Sequence, residues 1–327
     1  MAIENKIKIV FLGSGAFASP VLEAMLRDES LEIAEIVTQV DKPAGRKGIL
    51  TPTPLGQWCQ NAGRGFERVL SVNSEDFLNH LRELAPDLIV VVSFGQILKE
   101  DLLELPRLGC LNVHASLLPA YRGASPIVSA ILNGEIQTGV TFMRMDKGLD
   151  TGPVYQQFEL EIGDRITAPE LESELARLAG RHIGECIRQL AEGKLQSQEQ
   201  DHSKATLSRK IRKSHAALDW NSSPEDLARK IRAFFPWPSV IFTCMRNDRP
   251  VSVKISAGRA VAGVSGKPGQ ILSVKSEGVT VACAQNALLL EKVIPEGKKE
   301  MRATDFANGF RLEPGMIFLN GPGFSAN

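Results

Sequence analysis

Hydrophobic positions in the first half of the chain form short continuous runs that alternate with longer stretches of helical period. The runs KIKIVFL (6–12), AEIVTQV (34–40) and DLIVVVS (87–93) predict buried strands. Between them, SPVLEAMLRD (19–28) and SEDFLNHLRELAPD (74–87) have the spacing of amphipathic helices. Strands that alternate with helices are typical of a mostly parallel sheet with helices on both faces. A Rossmann-like, doubly wound α/β domain is therefore predicted.

The second half has a different pattern. A long amphipathic helix is predicted over 169–190, and the segment after it becomes polar and rich in Gln. From residue 207 onward, short apolar runs alternate with Gly and Pro turns, as in VSVKISAG, GQILSV, GVTVACA and ALLLEKV. Such a series predicts a small antiparallel β-barrel. The predicted organisation is a first domain over 1–190, a linker over 191–206 and a second domain over 207–327.

Composition is compatible with two ordinary globular domains. The chain has 327 residues, of which 43% are hydrophobic and 23% are charged. The charged start does not resemble a signal peptide, and no apolar run approaches the roughly 20 residues that span a bilayer. Five cysteines without a C-x-x-C pair predict neither a disulfide framework nor a zinc site. The expected location is the cytoplasm.

The net charge of zero hides an asymmetry along the chain. Residues 201–327 contain 19 Lys and Arg against 11 Asp and Glu, which leaves 19 basic and 27 acidic residues in the first 200. A basic C-terminal part favours contact with a polyanion. A modest surplus of this size is also typical of a solvated surface, and charge by itself leaves both interpretations open.

Three polar residues are candidates for catalysis. Asn112 and His114 follow an apolar pair that predicts a strand, and alternation along a strand directs both side chains to the same face. Asp150 lies between two glycines on a predicted loop. An amide, an imidazole and a carboxylate can together stabilise an oxyanion and move protons. On their own, these residue types are more often a core histidine and two turn formers.

The sequence around these residues resembles that of a known family. The segments NVHASLLPAYRGASPI (112–127) and TGVTFMRMDKGLDTG (138–152) are similar to those of the folate-dependent formyltransferases. The resemblance implies that Asn112, His114 and Asp150 form the catalytic trio. It also implies that Ser116, Leu117, Leu118 and Pro119 form a turn that contacts the folate. The expected co-substrate is 10-formyltetrahydrofolate, without a metal.

Two further regions resemble the branch of this family that acts on methionyl-tRNA. The loop DKPAGRKG (41–48) is similar to the loop by which those enzymes engage the tRNA acceptor end. The motifs PWP, KPGQIL, IPEGKKEM and DFANGFRLEPG resemble their C-terminal domain, an OB-like barrel that helps to hold the tRNA. The resemblance implies an enzyme that formylates methionyl initiator tRNA. A monomer is expected, since nothing in the sequence demands a larger assembly. The residues expected to bind tRNA are Lys42, Arg46, Lys47, Arg209, Lys210, Arg212 and Lys213.

In the mechanism that the resemblance implies, the acceptor amine attacks the formyl carbon directly and a tetrahedral oxyanion forms. Asn112 and His114 would bind the oxyanion, while Asp150 would orient His114 and assist proton transfer. No covalent intermediate with the protein is expected.

Several alternative functions differ from this one in the substrate or in the class of protein. Related enzymes formylate glycinamide ribonucleotide or amino-sugar nucleotides, and a related hydrolase cleaves formyl-folate. Against these, the basic loop and second domain favour a long polyanionic acceptor. A catalytically silent RNA-binding protein would not need the trio. An NAD-dependent oxidoreductase is suggested only by GSGAFA (13–18), because Thr38, Gln39 and Val40 occupy the place where an acid would hold the ribose.

Overall fold

The structure is a computed structural model, and it describes residues 6–44 and 48–321. Its strands are β1 Ile7–Gly13, β2 Leu31–Gln39, β3 Lys42–Ala44, β4 Ile49–Thr51, β5 Glu67–Val69, β6 Leu88–Val92, β7 Cys110–His114, β8 Arg122–Gly123, β9 Gln137–Arg144, β10 Val154–Glu161, β11 Leu207–Ser208, β12 Val240–Arg246, β13 Arg249–Val261, β14 Ile271–Lys275, β15 Gly278–Ala282, β16 Ala287–Pro295 and β17 Met301–Arg302. Its α-helices are α1 Ala18–Leu26, α2 Pro54–Asn61, α3 Glu75–Leu84, α4 Glu100–Leu103, α5 Pro126–Asn133, α6 Ala168–Ala191, α7 Pro224–Phe234 and α8 Ala303–Phe310.

The N-terminal half contains a seven-stranded sheet in the order β10-β9-β7-β6-β1-β2-β5. The strands from β7 to β5 are parallel to one another, whereas β9 is antiparallel to β7 and β10 is antiparallel to β9. The helices that connect the parallel strands belong to β-α-β crossovers, which parallel strands require. The predicted α/β class is confirmed.

The central strands of this sheet have apolar side chains on both faces, as a sheet covered by helices on both sides requires. Every residue of β6 is buried, and so is every residue of β7. Helix α3 contributes Phe77, Leu78 and Leu81 to a core formed with strand residues that include Val10 and Val91. The polar residues on β7 are therefore exceptions in an apolar layer.

The C-terminal half contains the antiparallel sheet β12-β13-β16-β15-β14, with β17 paired to β16. Residues 316–319 join its two edge strands. Thr243 of β12 exchanges backbone hydrogen bonds with Leu319, while the N–H of Ile271 in β14 donates to the carbonyl of Met316. Between these points, the ring of Phe318 lies 4.4 Å from that of the buried Phe242. The sheet therefore closes on itself, as the predicted OB-like barrel requires.

The chain divides into two compact units. The first comprises residues 1–126, 137–162 and 170–209, and the second comprises 127–136, 163–169 and 210–327. The second unit thus includes most of α5, whose Val128 and Leu132 pack against the same apolar core as Phe242. The domain bounds expected from the sequence, 1–190 and 207–327 with a linker over 191–206, stay predictions.

One carboxyl of the first unit gives stability a defined pH dependence. Glu172, near the start of α6, accepts a hydrogen bond from the backbone N–H of Phe17 at 3.2 Å. Burial raises the pKa of the Glu172 carboxyl above its ordinary value of 4.5. The folded protein therefore retains this proton to a higher pH than the unfolded chain does. The contribution of Glu172 to stability falls as pH rises from the pKa of the unfolded chain through the pKa of the folded protein.

Replacing Glu172 by Gln keeps an acceptor for the Phe17 N–H and removes the titration. The expected result is that wild type loses free energy of unfolding relative to Glu172→Gln as pH rises from about 4 to about 7. Urea unfolding of both proteins at a series of pH values measures this difference. A difference that stays constant across the series would contradict the assignment.

Candidate active site

Strand β7 places two polar side chains together inside the first unit. It pairs with β6 on one side, where Asn112 is opposite Val91, and with β9 on the other, where His114 is opposite Thr141. Because side chains alternate along a strand, Asn112 and His114 share a face. Their exposed fractions are 8% and 7%. A strand flanked on both sides holds its side chains more precisely than a surface loop would.

Asp150 joins them from the loop between β9 and β10. Its backbone has a φ of 52°, in the left-handed region that Asp enters more readily than most residues. One carboxylate oxygen, Oδ1, accepts a hydrogen bond from Asn112 Nδ2 at 3.3 Å. The other, Oδ2, accepts from the backbone N–H of Gly123 at 2.8 Å and lies 3.8 Å from His114 Nδ1. The structure thus brings the three predicted catalytic residues together.

The two ring nitrogens of His114 have different partners. Nε2 lies 3.0 Å from the backbone carbonyl of Tyr121. A carbonyl can only accept, so Nε2 carries the hydrogen of this bond. The second nitrogen, Nδ1, therefore donates only when the ring is protonated, and its 3.8 Å separation from Asp150 is too long for a direct hydrogen bond.

The predicted folate-contacting turn follows His114 directly, and hydrogen bonds fix its backbone. Ser116 donates its hydroxyl to the carbonyl of Ala120 at 2.6 Å. Thr141 Oγ1 accepts from the N–H of Leu118 at 3.0 Å and donates to the carbonyl of Ser116 at 2.6 Å. Gln157 donates to the carbonyl of Leu118 at 2.8 Å. These groups shape the turn, and the carbonyls of Ser116 and Leu118 are already engaged within the protein.

Leu117 and Pro119 of this turn are half-buried, whereas Ser116 and Leu118 are buried. Leu117 lies over Gly139 of β9, where an added Cβ would come within 2.5 Å of the leucine Cδ2 and 2.2 Å of the carbonyl of Phe158. The glycine is required by this close approach. Apolar contact with a ligand is therefore available from the outer side chains of the turn.

Sequence reasoning missed the residues that support the trio from strand β8 and from the position just before it. Gly123 provides the N–H for Asp150, and Tyr121 provides the carbonyl for His114. Gly123 has a φ of 112°, and a Cβ there would lie 2.5 Å from the carbonyl of Ser208 on β11. Only glycine fits such a position. In the sequence, the one sign of this position is that the glycine of YRGAS does not lie in an obvious turn.

Two observations within residues 6–44 and 48–321 concern covalent and metal catalysis. Cys110, on the same strand, is buried, and burial raises the pKa of its thiol to about 12. At neutral pH it is therefore a protonated thiol, a poor nucleophile. No three or more His, Cys, Asp or Glu side chains in the described part of the chain are grouped to hold a metal ion. The expectation that no metal takes part stays a prediction.

The residues predicted to bind tRNA lie at the surface where the structure describes them. Lys42, on β3, is exposed, and so is the basic run that follows β11. Arg46 and Lys47 lie outside the described residues. The exposed members of the basic run are Arg209, Lys210, Arg212 and Lys213. Separately, among the helices that the structure describes, none is long and apolar enough to cross a membrane.

Comparison with known families gives matches over both parts of the chain. Residues 7–187 match the family model described as formyl transferase, and residues 210–311 match its C-terminal domain. The methionyl-tRNA formyltransferase of Geobacter sulfurreducens is 38% identical over 309 residues, which cover 94% of this chain and 96% of the relative. That of Myxococcus xanthus is 39% identical over 311 residues, covering 95% and 97%.

Solved structures share the fold at lower identity. HypX from Aquifex aeolicus, in complex with tetrahydrofolic acid, is 16% identical with a TM-score of 0.62 over 94% of this chain; the match spans about half of HypX, 48% of its length. An N-formyltransferase from Helicobacter canadensis, in complex with folinic acid and dTDP-3-aminofucose, is 18% identical with a TM-score of 0.62, covering 87% and 98%. The family matches and the close relatives together show that this chain belongs to the formyl transferase family, as an enzyme of the group that the methionyl-tRNA formyltransferases form.

Proposed function

We propose that this enzyme transfers the formyl group of 10-formyltetrahydrofolate to the α-amino group of methionyl initiator tRNA. The observation that carries the proposal is the position of the partly buried Asp150 carboxylate, hydrogen-bonded to the buried Asn112 and facing the buried His114. The names of the close relatives support this choice of acceptor. The product would be N-formylmethionyl-tRNA for the initiation of translation.

In the proposed reaction, the neutral α-amine attacks the formyl carbon and the carbonyl oxygen becomes an oxyanion. Free α-amines titrate at about 7.7–8.0, so a substantial neutral fraction is present at cellular pH. The amide of Asn112 and the ring of His114 bind the oxyanion. Because Nε2 is committed to the Tyr121 carbonyl, the donor is Nδ1–H of the protonated ring. The bond between the formyl carbon and the folate nitrogen then breaks.

Proton movement completes the transfer. The attacking amine becomes cationic and loses a proton, while the departing folate nitrogen gains one. Asp150 lies beside both oxyanion donors, so its carboxylate orients His114 and accepts and passes on this proton, directly or through water. Atoms and charges balance without a covalent bond to the protein. The raised pKa of the Cys110 thiol supports direct transfer over a thioester route.

The turn Ser116–Pro119 would contact the folate. Its fixed backbone and the partly accessible Leu117 and Pro119 suit apolar contact with a flat heterocycle. Since the carbonyls of Ser116 and Leu118 already accept hydrogen bonds from the protein, they are poor candidates for the polar edge of the ligand.

Binding of the tRNA is assigned to exposed cations. The side chains that the structure shows to be exposed are those of Lys42, Arg209, Lys210, Arg212 and Lys213. With Arg46 and Lys47 they form the set predicted to bind tRNA. Such side chains bind phosphates through charge, in a manner that does not depend on sequence. The monomeric state and the cytoplasmic location stay predictions.

A competition among acceptors tests the proposed function. The purified enzyme is incubated with 10-formyltetrahydrofolate and, separately, with methionyl initiator tRNA, glycinamide ribonucleotide or a nucleotide-linked amino sugar. We expect the kcat/KM for formylation to be highest with methionyl initiator tRNA. Preference for either small acceptor would contradict the proposal, as would release of formate without any acceptor.

A further inference from the structure

Behind the trio, a second buried amide holds the loop that carries Asp150. Gln200, which is 6% exposed, directs its side-chain NH₂ group at two backbone carbonyls of this loop. Nε2 donates to the carbonyl of Asp150 at 2.9 Å and to that of Gly152 at 2.7 Å. Both donor hydrogens of the amide are therefore used on the three-residue turn centred on Thr151.

The oxygen of the same amide is held in turn by a buried arginine. Gln200 Oε1 accepts hydrogen bonds from Arg122 Nε at 3.1 Å and from Arg122 Nη2 at 2.7 Å. Arg122 is 6% exposed, and its Nη2 also lies 3.1 Å from His202 Nδ1. A guanidinium donates only, so it dictates which end of the Gln200 amide faces it. The amide cannot flip without losing all four of these bonds.

These contacts form a closed ring around the catalytic acid. Arg122 is bonded covalently to Gly123, whose N–H holds Asp150 Oδ2. The carbonyl of Asp150 is held by Gln200, and Gln200 is held by Arg122. Both the side chain and the main chain of Asp150 are thus fixed to one short element, β8.

The acid needs such support because its own backbone is unusual and the residue before it is open to solvent. Asp150 has the left-handed backbone, and the preceding Leu149 is 61% exposed. A change of a few tens of degrees in this backbone would move the carboxylate away from His114. A misplacement of about 1 Å at a reacting group can cost about 100-fold in rate.

We propose that Gln200, oriented by Arg122, is a positioning residue that holds the Asp150 loop in the conformation required for turnover. The assignment rests on the proposed function, because it acts through Asp150 in that reaction. Gln200 does not touch substrate; it acts through the main chain of the loop.

The informative substitution is Gln200→Glu. The carboxylate keeps the shape of the side chain and pairs with Arg122, which preserves the fold, but it presents an acceptor to two carbonyls in place of two donors. The expected result is a fall in kcat of about 100-fold, with KM for folate and for tRNA changed less than about threefold. Amide hydrogen exchange in residues 146–153 should become faster.

The matched control is Gln156→Glu. Gln156 is half-buried in the same unit and donates to Gln189 at 3.2 Å, away from the loop carbonyls. Its variant should retain wild-type kcat and wild-type exchange in residues 146–153. A loss of kcat equal to that of Gln200→Glu would overturn the inference.

A double variant separates positioning from a general structural effect. On an Asp150→Ala background, Gln200→Glu should lower the residual kcat less than about threefold, because the group it positions is absent. A further fall of about 100-fold would overturn the inference. If Gln200→Glu does not fold, Gln200→Met, which removes the same donors without adding charge, takes its place in every comparison.

The outcomes for the two proposals are distinguishable. If wild type does not formylate methionyl-tRNA, the proposed function fails. If wild type does so and the Gln200 variants match its kcat, only the positioning role fails.

Discussion

Replacement of His114 by alanine is expected to lower kcat/KM for formyl transfer by about 100- to 1,000-fold, the usual effect of losing one oxyanion donor. Asn112→Ala should have an effect of the same order, for the same reason. Because the role proposed for both side chains is confined to the transition state, affinity for folate should change little. Steady-state kinetics with methionyl-tRNA and direct titration of folate measure the two quantities separately.

The control for this substitution is His80→Ala. His80 is an exposed histidine on α3, 2.8 Å from Glu35, so the same chemical change is made outside the buried cluster. Its activity should equal that of wild type. His114 also donates to the Tyr121 carbonyl, so thermal unfolding of each variant must show that it is folded at the assay temperature. Unimpaired turnover in a folded His114→Ala enzyme would refute the site.

Neutralising the basic run after β11 should have the next largest effect. Log affinity falls linearly with log salt concentration, and each phosphate contact adds about 0.7–0.9 to the steepness of that slope. Changing all four cations to Gln should therefore reduce the slope for tRNA by about 3. Raising salt from about 50 to about 200 mM would then weaken wild-type binding about 60-fold more than binding by the variant. The residues changed are Arg209, Lys210, Arg212 and Lys213.

A second variant with the same loss of charge distinguishes local contact from net charge. It changes four exposed cations of the first unit to Gln, namely Arg64, Arg82, Lys99 and Lys194. Binding measured by filter retention at five salt concentrations should give this control nearly the wild-type slope. Equal slopes for the two quadruple variants would mean that the run after β11 is no specific contact surface.

Much of the architecture could be predicted because it depends on local patterns. The continuous apolar runs of β1 and β6 record burial on both faces, and the short apolar runs between Gly and Pro turns record the strands of the C-terminal sheet. Asp150 was predicted to lie on a loop, but the antiparallel direction of β9 and β10, the strands that flank it, was not predicted. The direction of a strand depends on the path by which the chain returns to the sheet, and the hydrophobic period does not encode that path.

The candidate site could be predicted in part, for a different reason. Asn112 and His114 are two residues apart on a strand, so geometry alone places them on one face. Asp150 was assigned by resemblance to a family, and no local rule brings it to β7. Gln200 gave no signal, because it lies in a polar, Gln-rich stretch that the sequence marks as a linker.

By itself, the sequence determined where apolar surface must be buried, which strands and helices result, and, through its resemblance to a family, which side chains are candidates for catalysis. Only the tertiary structure decided which polar groups meet. Gln200 bonds to a carbonyl 50 residues earlier and to an arginine 78 residues earlier. Burial follows a period of two or 3.6 residues that any short window displays, whereas a hydrogen bond requires two atoms within about 3 Å. For residues this far apart, that distance is set by the path of the whole chain.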